Sequence, residues 1–211
     1  MPDIQTLNTL YDSKIVAILR KVDEKKIENV VHALIEGGIK CIEITMGSNG
    51  TLEQIRDIKK KYKDRVTIGA GTVLDAAACR MAIEAGAEYI VTPTVNKDVI
   101  KMSNMYGKPC IPGAMTPTEI LTAYEYGASM IKVFPATTLG TSFFREISGP
   151  LGYIPIMATG GINIENIDNY IKAGVKVFGM GSSLISKQAI ETGNFEKIKE
   201  DAVKIVEKIS N

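Results

Sequence analysis

Four stretches decide the fold: Glu36-Gly37-Gly38-Ile39-Lys40-Cys41-Ile42-Glu43, Glu84-Ala85-Gly86-Ala87-Glu88-Tyr89-Ile90-Val91, Glu125-Tyr126-Gly127-Ala128-Ser129-Met130-Ile131-Lys132 and Lys172-Ala173-Gly174-Val175-Lys176-Val177-Phe178-Gly179. Each reads as a helix that stops at glycine and runs directly into a short apolar strand, since glycine takes up the left-handed backbone that ends a helix without steric cost. A join repeated in this way marks a βα unit used over and over. Outward from the joins, apolar runs rich in Val and Ile occupy 15–20, 41–46, 67–73, 89–95, 110–115, 130–136, 154–160 and 175–181. Segments such as 24–38 and 163–175 lie between them, with apolar residues repeating at three and four, the helical period. Strands covered on both faces and alternating with helices eight times predict an α/β fold, a compact (β/α)8 TIM barrel. A five-stranded flavodoxin-like sheet leaves three of the runs without a place. Residues 1–211 read as a single barrel domain with short loops, a short N-terminal helix over 2–13 and a C-terminal helix over 183–210. The connection 137–153, after the sixth run, is the least regular.

Composition narrows the function. Of 211 residues, 45% are apolar, and 25 basic against 24 acidic side chains leave a formal charge of +1, so bulk charge favours neither nucleic acid nor an anionic membrane as a partner. No apolar stretch approaches the length of a membrane span, and the opening residues lack the layout of a secretory signal, which places the chain in the cytoplasm. Cys41, Cys79 and Cys110 are odd in number and far apart, a pattern of buried reduced thiols and of neither a disulfide framework nor a metal cluster. The sole histidine, His32, falls on a predicted helix and reads as structural. Chemistry is left to Lys, Glu, Asp, Tyr, backbone groups or a cofactor, and the reading that follows needs no metal and no cofactor.

Two charged residues break the strand pattern. In Met130-Ile131-Lys132-Val133-Phe134 the lysine alternates with Met130 and Phe134, and in Cys41-Ile42-Glu43-Ile44-Thr45 the glutamate alternates with Cys41 and Thr45, so both point into the barrel. Lysine and glutamate are almost never found in such places unless paired or functional. One reading is a buried structural ion pair. The other is a nucleophile: desolvation disfavours an ammonium, and a neutral amine attacks a carbonyl to form an imine, with Glu43 moving protons. After the seventh and eighth runs, Thr159-Gly160-Gly161 and Gly181-Ser182 place small residues where backbone N–H groups and helix N-termini can close on an anion. Gly69-Ala70-Gly71-Thr72 does not match a dinucleotide fingerprint and predicts close approach of backbone to ligand. Arg20, Thr72, Pro93 and Pro112-Gly113 fall at other strand C-terminal ends, the rim where barrel sites lie. Arg20 reads either as an anion ligand or as a solvated surface residue, and Thr72 either as a carboxylate donor or as a helix cap.

Taken in order, Ile-Glu-Ile-Thr, Ile-Gly-Ala-Gly-Thr-Val-Leu, Thr-Pro, Ile-Pro-Gly, Ile-Lys-Val-Phe-Pro-Ala, Ser-Gly-Pro, Thr-Gly-Gly-Ile and Gly-Met-Gly-Ser resemble, over about residues 14–185, the bacterial 2-keto-3-deoxy-6-phosphogluconate / 4-hydroxy-2-oxoglutarate aldolases. The resemblance implies a class I, metal-independent lyase that forms a Schiff base and acts as a homotrimer. Such an enzyme cleaves a phosphorylated 2-keto-3-deoxy sugar acid into pyruvate and glyceraldehyde 3-phosphate. It assigns the Schiff-base lysine to Lys132 and the acid/base glutamate to Glu43. Thr72 matches the threonine at the pyruvate end, Pro93 and Phe134 match pocket residues, and Thr159, Gly160, Gly161, Gly181 and Ser182 match the phosphate loops. One position departs from it. The gluconate enzymes carry arginine in a Glu-Val-Thr-Leu-Arg-Thr run, and here the stretch is Glu43-Ile44-Thr45-Met46-Gly47-Ser48. The phosphogalactonate-type relatives have a small polar residue near that position and an arginine ending strand one, as Arg20 does here, which leaves the sugar epimer open. Two other readings stand beside the aldolase: a phosphate-binding barrel isomerase or epimerase, and a catalytically silent sugar-phosphate-binding protein.

Overall fold

The computed structural model describes residues 2–47 and 50–210; Ser48, quoted above, lies outside them. Its strands are β1 (Ile15–Leu19), β2 (Cys41–Thr45), β3 (Thr67–Gly71), β4 (Tyr89–Val91), β5 (Cys110–Ile111), β6 (Gly113–Ala114), β7 (Ile131–Val133), β8 (Ile156–Thr159) and β9 (Val177–Met180). They form one sheet in the order β5-β4-β3-β2-β1-β9-β8-β7-β6, every pair parallel, a nearly closed barrel with helices between the strands. All eight expected strands are present. The fifth is divided at Pro112, which has no N–H to contribute to a ladder.

Helices α1 (Ile4–Ser13), α2 (Glu24–Glu36), α3 (Thr51–Tyr62), α4 (Ala76–Glu84), α5 (Lys97–Met105), α6 (Pro117–Glu125), α7 (Ala136–Leu151), α8 (Ile167–Lys172), α9 (Lys187–Thr192) and α10 (Phe195–Ser210) complete the chain. The four joins end as read, with Gly38, Gly86, Gly127 and Gly174 at φ of 90°, 111°, 93° and 91°. Two expectations change. The single helix over 183–210 is two helices, because Gly193 (φ 72°) ends α9 in the left-handed region. The irregular connection is the helix α7, broken at Gly140 (φ 73°, ψ 169°).

Alternation along the strands separates two cores. Outward residues such as Ile42, Ile44, Ile68, Ile90, Ile131 and Phe178 pack against the helices together with Ile27, Val30 and Leu34 of α2. Inward, Val16, Cys41, Tyr89, Val91, Ile111, Met130, Met157 and Val177 form an apolar layer across the lumen, closed from below by Leu10 of α1. The helix is capped by Asp3, whose carboxylate accepts from Gln5 N (3.0 Å) and from the Thr6 hydroxyl (2.8 Å). These bonds hold the Asp3 carboxyl below its ordinary range. Cys41, Cys79 and Cys110 are buried and unbonded to one another, and burial pushes the Cys41 and Cys79 thiols up to about 12. His32 is exposed on α2, so it is no core residue. Among the described residues no helix is long and apolar enough to cross a membrane. Because Leu10 is fully buried beneath the inner layer, Leu10→Ala is expected to lower unfolding free energy by about 2–5 kcal/mol, read from urea denaturation.

Candidate active site

Above the apolar layer the lumen turns polar. Glu43 lies at the centre of β2 and Lys132 at the centre of β7, with exposures of 1% and 5%. The lysine backbone is fixed on both sides: its N–H donates to Pro112 O (2.8 Å), and it is in register with Gly113 and Met157. Its Nζ stands 5.2 Å from the centroid of the Phe134 ring. Burial raises the Glu43 carboxyl above the ordinary carboxylate range, and the positive charges of Lys132 and then Arg20 pull it back. The two groups therefore sense each other's field, yet among the described residues neither is in an ion pair within 4.0 Å. The contact ion pair weighed from the sequence is not formed. What exists is an amine and a carboxyl on opposite walls of one buried lumen, an arrangement able to add to a carbonyl on one side and move a proton on the other.

Glycine makes the room. A Cβ on Gly71 would sit 1.8 Å from Glu43 Oε1, and one on Gly69 would sit 2.2 Å from the Tyr89 ring. The close approach predicted at Gly69-Ala70-Gly71 is thus made by two side chains of the protein itself. Gly179 gives the same clearance to Thr159, and Gly113 lies against the Pro93 backbone. Four buried oxygens in this lumen, Glu43 Oε2, Thr45 Oγ1, Tyr89 OH and Thr159 Oγ1, have no hydrogen-bond partner. Buried polar atoms are ordinarily paired, so four orphans on inward positions of β2, β4 and β8 mark a surface built to receive polar groups.

The remaining predicted residues ring the mouth. Arg20 is exposed just beyond β1, Pro93 follows β4, and half-buried Phe134 follows β7. Thr72 has φ 55°, a strained setting for a β-branched residue of the sort that gathers at functional sites. It does not cap α4, since Asp75 accepts from Ala78 N (2.8 Å) in that role. Gly160 (φ 98°) abuts Phe134 and Gly161 (φ 79°) abuts Thr137. This loop is braced where Thr137 N donates to Gly160 O (3.2 Å) and Asn166 Nδ2 to Gly161 O (2.8 Å). The Ser183 hydroxyl donates to Ile162 O (2.6 Å), tying it to the loop that contains Gly181 and Ser182. Helices α8 and α9 begin at Ile167 and Lys187, several residues beyond the glycines, so the loops' own amides and not helix ends are the donors on offer. Gly47 is exposed at φ 102°, and a Cβ placed on it would meet nothing within 4 Å.

Residues 7–201 match the family model described as "KDPG and KHG aldolase". The chain belongs to this family. Among similar proteins, a probable 2-dehydro-3-deoxy-6-phosphogalactonate aldolase of Rhizobium meliloti is 39% identical over 81% of each chain. A solved structure described as native KDPGal is 32% identical and superposes with a TM-score of 0.86 over 93% of this chain and 94% of that one. A KDPG aldolase of Legionella pneumophila, captured with pyruvate as a covalent carbinolamine, is 25% identical with a TM-score of 0.88 over 94% and 97%. The protein is accordingly an aldolase, a lyase of barrel type.

Sequence reasoning missed Tyr89, Thr137 and Asn166 in this aldolase. Tyr89 was hidden in an apolar run, where only its alternation with Val91 opposite Gly69 signals an inward hydroxyl. The braces act across the chain and leave no local pattern. Gly71→Ala is expected to leave the barrel folded while swinging the Glu43 carboxyl out of place, which a crystal structure of the variant would show, together with at least about a hundredfold lower turnover, the scale of a misplaced catalytic group.

Proposed function

We propose that this aldolase cleaves a 2-keto-3-deoxy-6-phospho sugar acid to pyruvate and glyceraldehyde 3-phosphate through a Schiff base on Lys132. One observation carries the reading: a buried lysine and a buried glutamate face each other across a lumen sealed below and unpaired within it. The Lys132 amine adds to the C2 ketone, and loss of water from the carbinolamine gives a protonated imine, the electron sink. Glu43, through a bound water, takes the proton of the C4 hydroxyl while the C3–C4 pair flows into the imine. The aldehyde leaves and the enamine of pyruvate stays on Lys132. Glu43 returns a proton to C3, and hydrolysis frees pyruvate and the amine. Family membership and the carbinolamine of the Legionella relative support this course.

In the same reading Arg20 and the amides of Gly160, Gly161, Gly181 and Ser182 hold the anionic end, Thr72 and Thr159 donate to the substrate, and Pro93 and Phe134 shape the pocket. With Gly47 in place of the family arginine, Arg20 is the cation whose charge reaches the site. That feature and the Rhizobium relative favour the phosphogalactonate-type epimer, with 4-hydroxy-2-oxoglutarate as a further substrate. One cytoplasmic barrel per chain, assembled as a homotrimer, completes the proposal and is open to sedimentation analysis. The family match weighs against the isomerase, and the retained Lys132 and Glu43 weigh against the silent binder.

Incubation with pyruvate and borohydride is expected to fix an adduct on Lys132 in a peptide map, and Lys132→Ala to lose activity by several orders of magnitude while melting as before. Absence of the adduct in folded protein refutes the scheme. Glu43→Gln is expected to trap pyruvate still but cleave slowly. Since Glu43 must be ionised to accept the C4 proton and burial raises its carboxyl, activity should fall as pH drops through a value above the ordinary carboxylate range. That acid limb should vanish in Glu43→Gln.

A further inference from the structure

Tyr89 is an inward polar residue with no part in the scheme above. It is fully buried, its hydroxyl is without a partner, and the lower lumen around it is otherwise apolar. A phenylalanine would fill that layer without the cost of stranding a hydroxyl. The ladder shows where the hydroxyl goes. Glu43 is in register with Gly69, and Gly69 with Tyr89, so three neighbouring strands set glutamate, glycine and tyrosine in a row along one inner face. Adjacent strands lie about 4.8 Å apart, which puts the two Cα atoms about 10 Å from each other. The ring covers the middle of that gap: Cε2, Cζ and Cδ2 would lie 2.2, 2.3 and 2.5 Å from a Cβ on Gly69. The hydroxyl, bonded to Cζ, is thus carried over β3 towards β2. Burial and then the neighbouring Cys41, Glu43 and Glu88 groups push the phenol well above its ordinary range, so it stays a donor at every working pH. Glu43 Oε2, also buried, is also without a partner.

We propose that Tyr89 is a positioning residue for Glu43, its hydroxyl donating through one ordered water to Glu43 Oε2. Two buried orphan oxygens on one inner face, their side chains lodged over Gly69 and Gly71 of the strand between them, provide the polar partners such a water needs. The bridge leaves Oε1, lodged over Gly71, free to face the substrate, and a donor to the carboxylate favours the ionised form that takes the C4 proton. Other groups around Glu43 are Lys132 on β7, Arg20 at the end of β1 and Cys41 below it on β2. Neither cation replaces the bridge, as among the described residues no hydrogen bond joins either to Oε2.

The role in catalysis rests on the reading of Glu43 as acid/base, but the contact itself does not. The test is a carbon-13 NMR titration of glutamate carboxyls in the full chain, with the Glu43 signal identified by its loss in Glu43→Gln, alongside the pH profile of aldol cleavage. Tyr89→Phe keeps the ring on Gly69, and Tyr89→Met offers a second apolar side chain should the first not fold. In both, the Glu43 titration is expected to move up by about one pH unit, the acid limb to move with it, and kcat to fall about tenfold with little change in KM. A Glu43 titration that stays at the wild-type value in either folded variant overturns the proposal. If Glu43→Gln keeps normal turnover while the carboxyl still titrates higher in Tyr89→Phe, it is the acid/base role of Glu43 that fails, and Tyr89 then positions a carboxyl with no catalytic task.

Discussion

Everything in this molecule depends on keeping two opposite charges out of water without letting them touch. A lysine and a glutamate in an aqueous cleft would be screened and mobile, and in a dry core at contact they would close into a salt bridge whose desolvation cost nearly cancels its attraction. The barrel avoids both outcomes. It fixes Lys132 and Glu43 on different strands by backbone ladders, and the layer of Val16, Cys41, Ile111, Met130, Met157 and Val177 with Leu10 of α1 beneath keeps solvent from entering below. The field between them is strong because both are buried and little screened by solvent.

That requirement explains where the glycines are. A strand facing a crowded lumen must either fill it or yield space, and β3 and β9 yield. Gly71 and Gly179 stand opposite Glu43 and Thr159, and Gly69 opposite Tyr89. The positive-φ Gly160 and Gly161 serve a different end, turning the chain so that small residues border the mouth, while the Ser183 to Ile162 bond ties two loops together. Inner glycines make clearance for protein side chains, and outer ones make curvature.

Most of the architecture was legible because its signals are local and repeated. The Gly-terminated joins and the eight apolar runs each report their own structure, and the inward setting of Lys132 and Glu43 follows from period-two alternation alone. What escaped depended on through-space facts. The division of the fifth strand turns on whether Pro112 needed an N–H for its neighbour, and the break at Gly193 on one left-handed residue within a helical pattern. Gly69-Ala70-Gly71 signalled a close approach that the sequence reading gave to a ligand, whereas Tyr89 and Glu43 make it from strands on either side. The separation of Lys132 from Glu43 is a three-dimensional distance that no spacing encodes.

The division at Pro112 has a mechanical side. Between Val91 and Ile111 the ladder is intact and Thr92 N donates to Ile111 O (3.2 Å), but beyond it Gly113 rests on the Pro93 backbone with, among the described residues, no hydrogen bond between the two. The circumference is hydrogen-bonded along most of its course and merely packed along this short arc. An arc held by packing costs less to widen than one held by a ladder of hydrogen bonds. Lys132 stands one strand away from it, its N–H held by Pro112 O and its strand paired with β6 on one edge and β8 on the other. The nucleophile's strand is therefore bonded along both edges and set apart from the seam, while the Glu43 carboxyl across the lumen is anchored in the best-paired wall of the barrel.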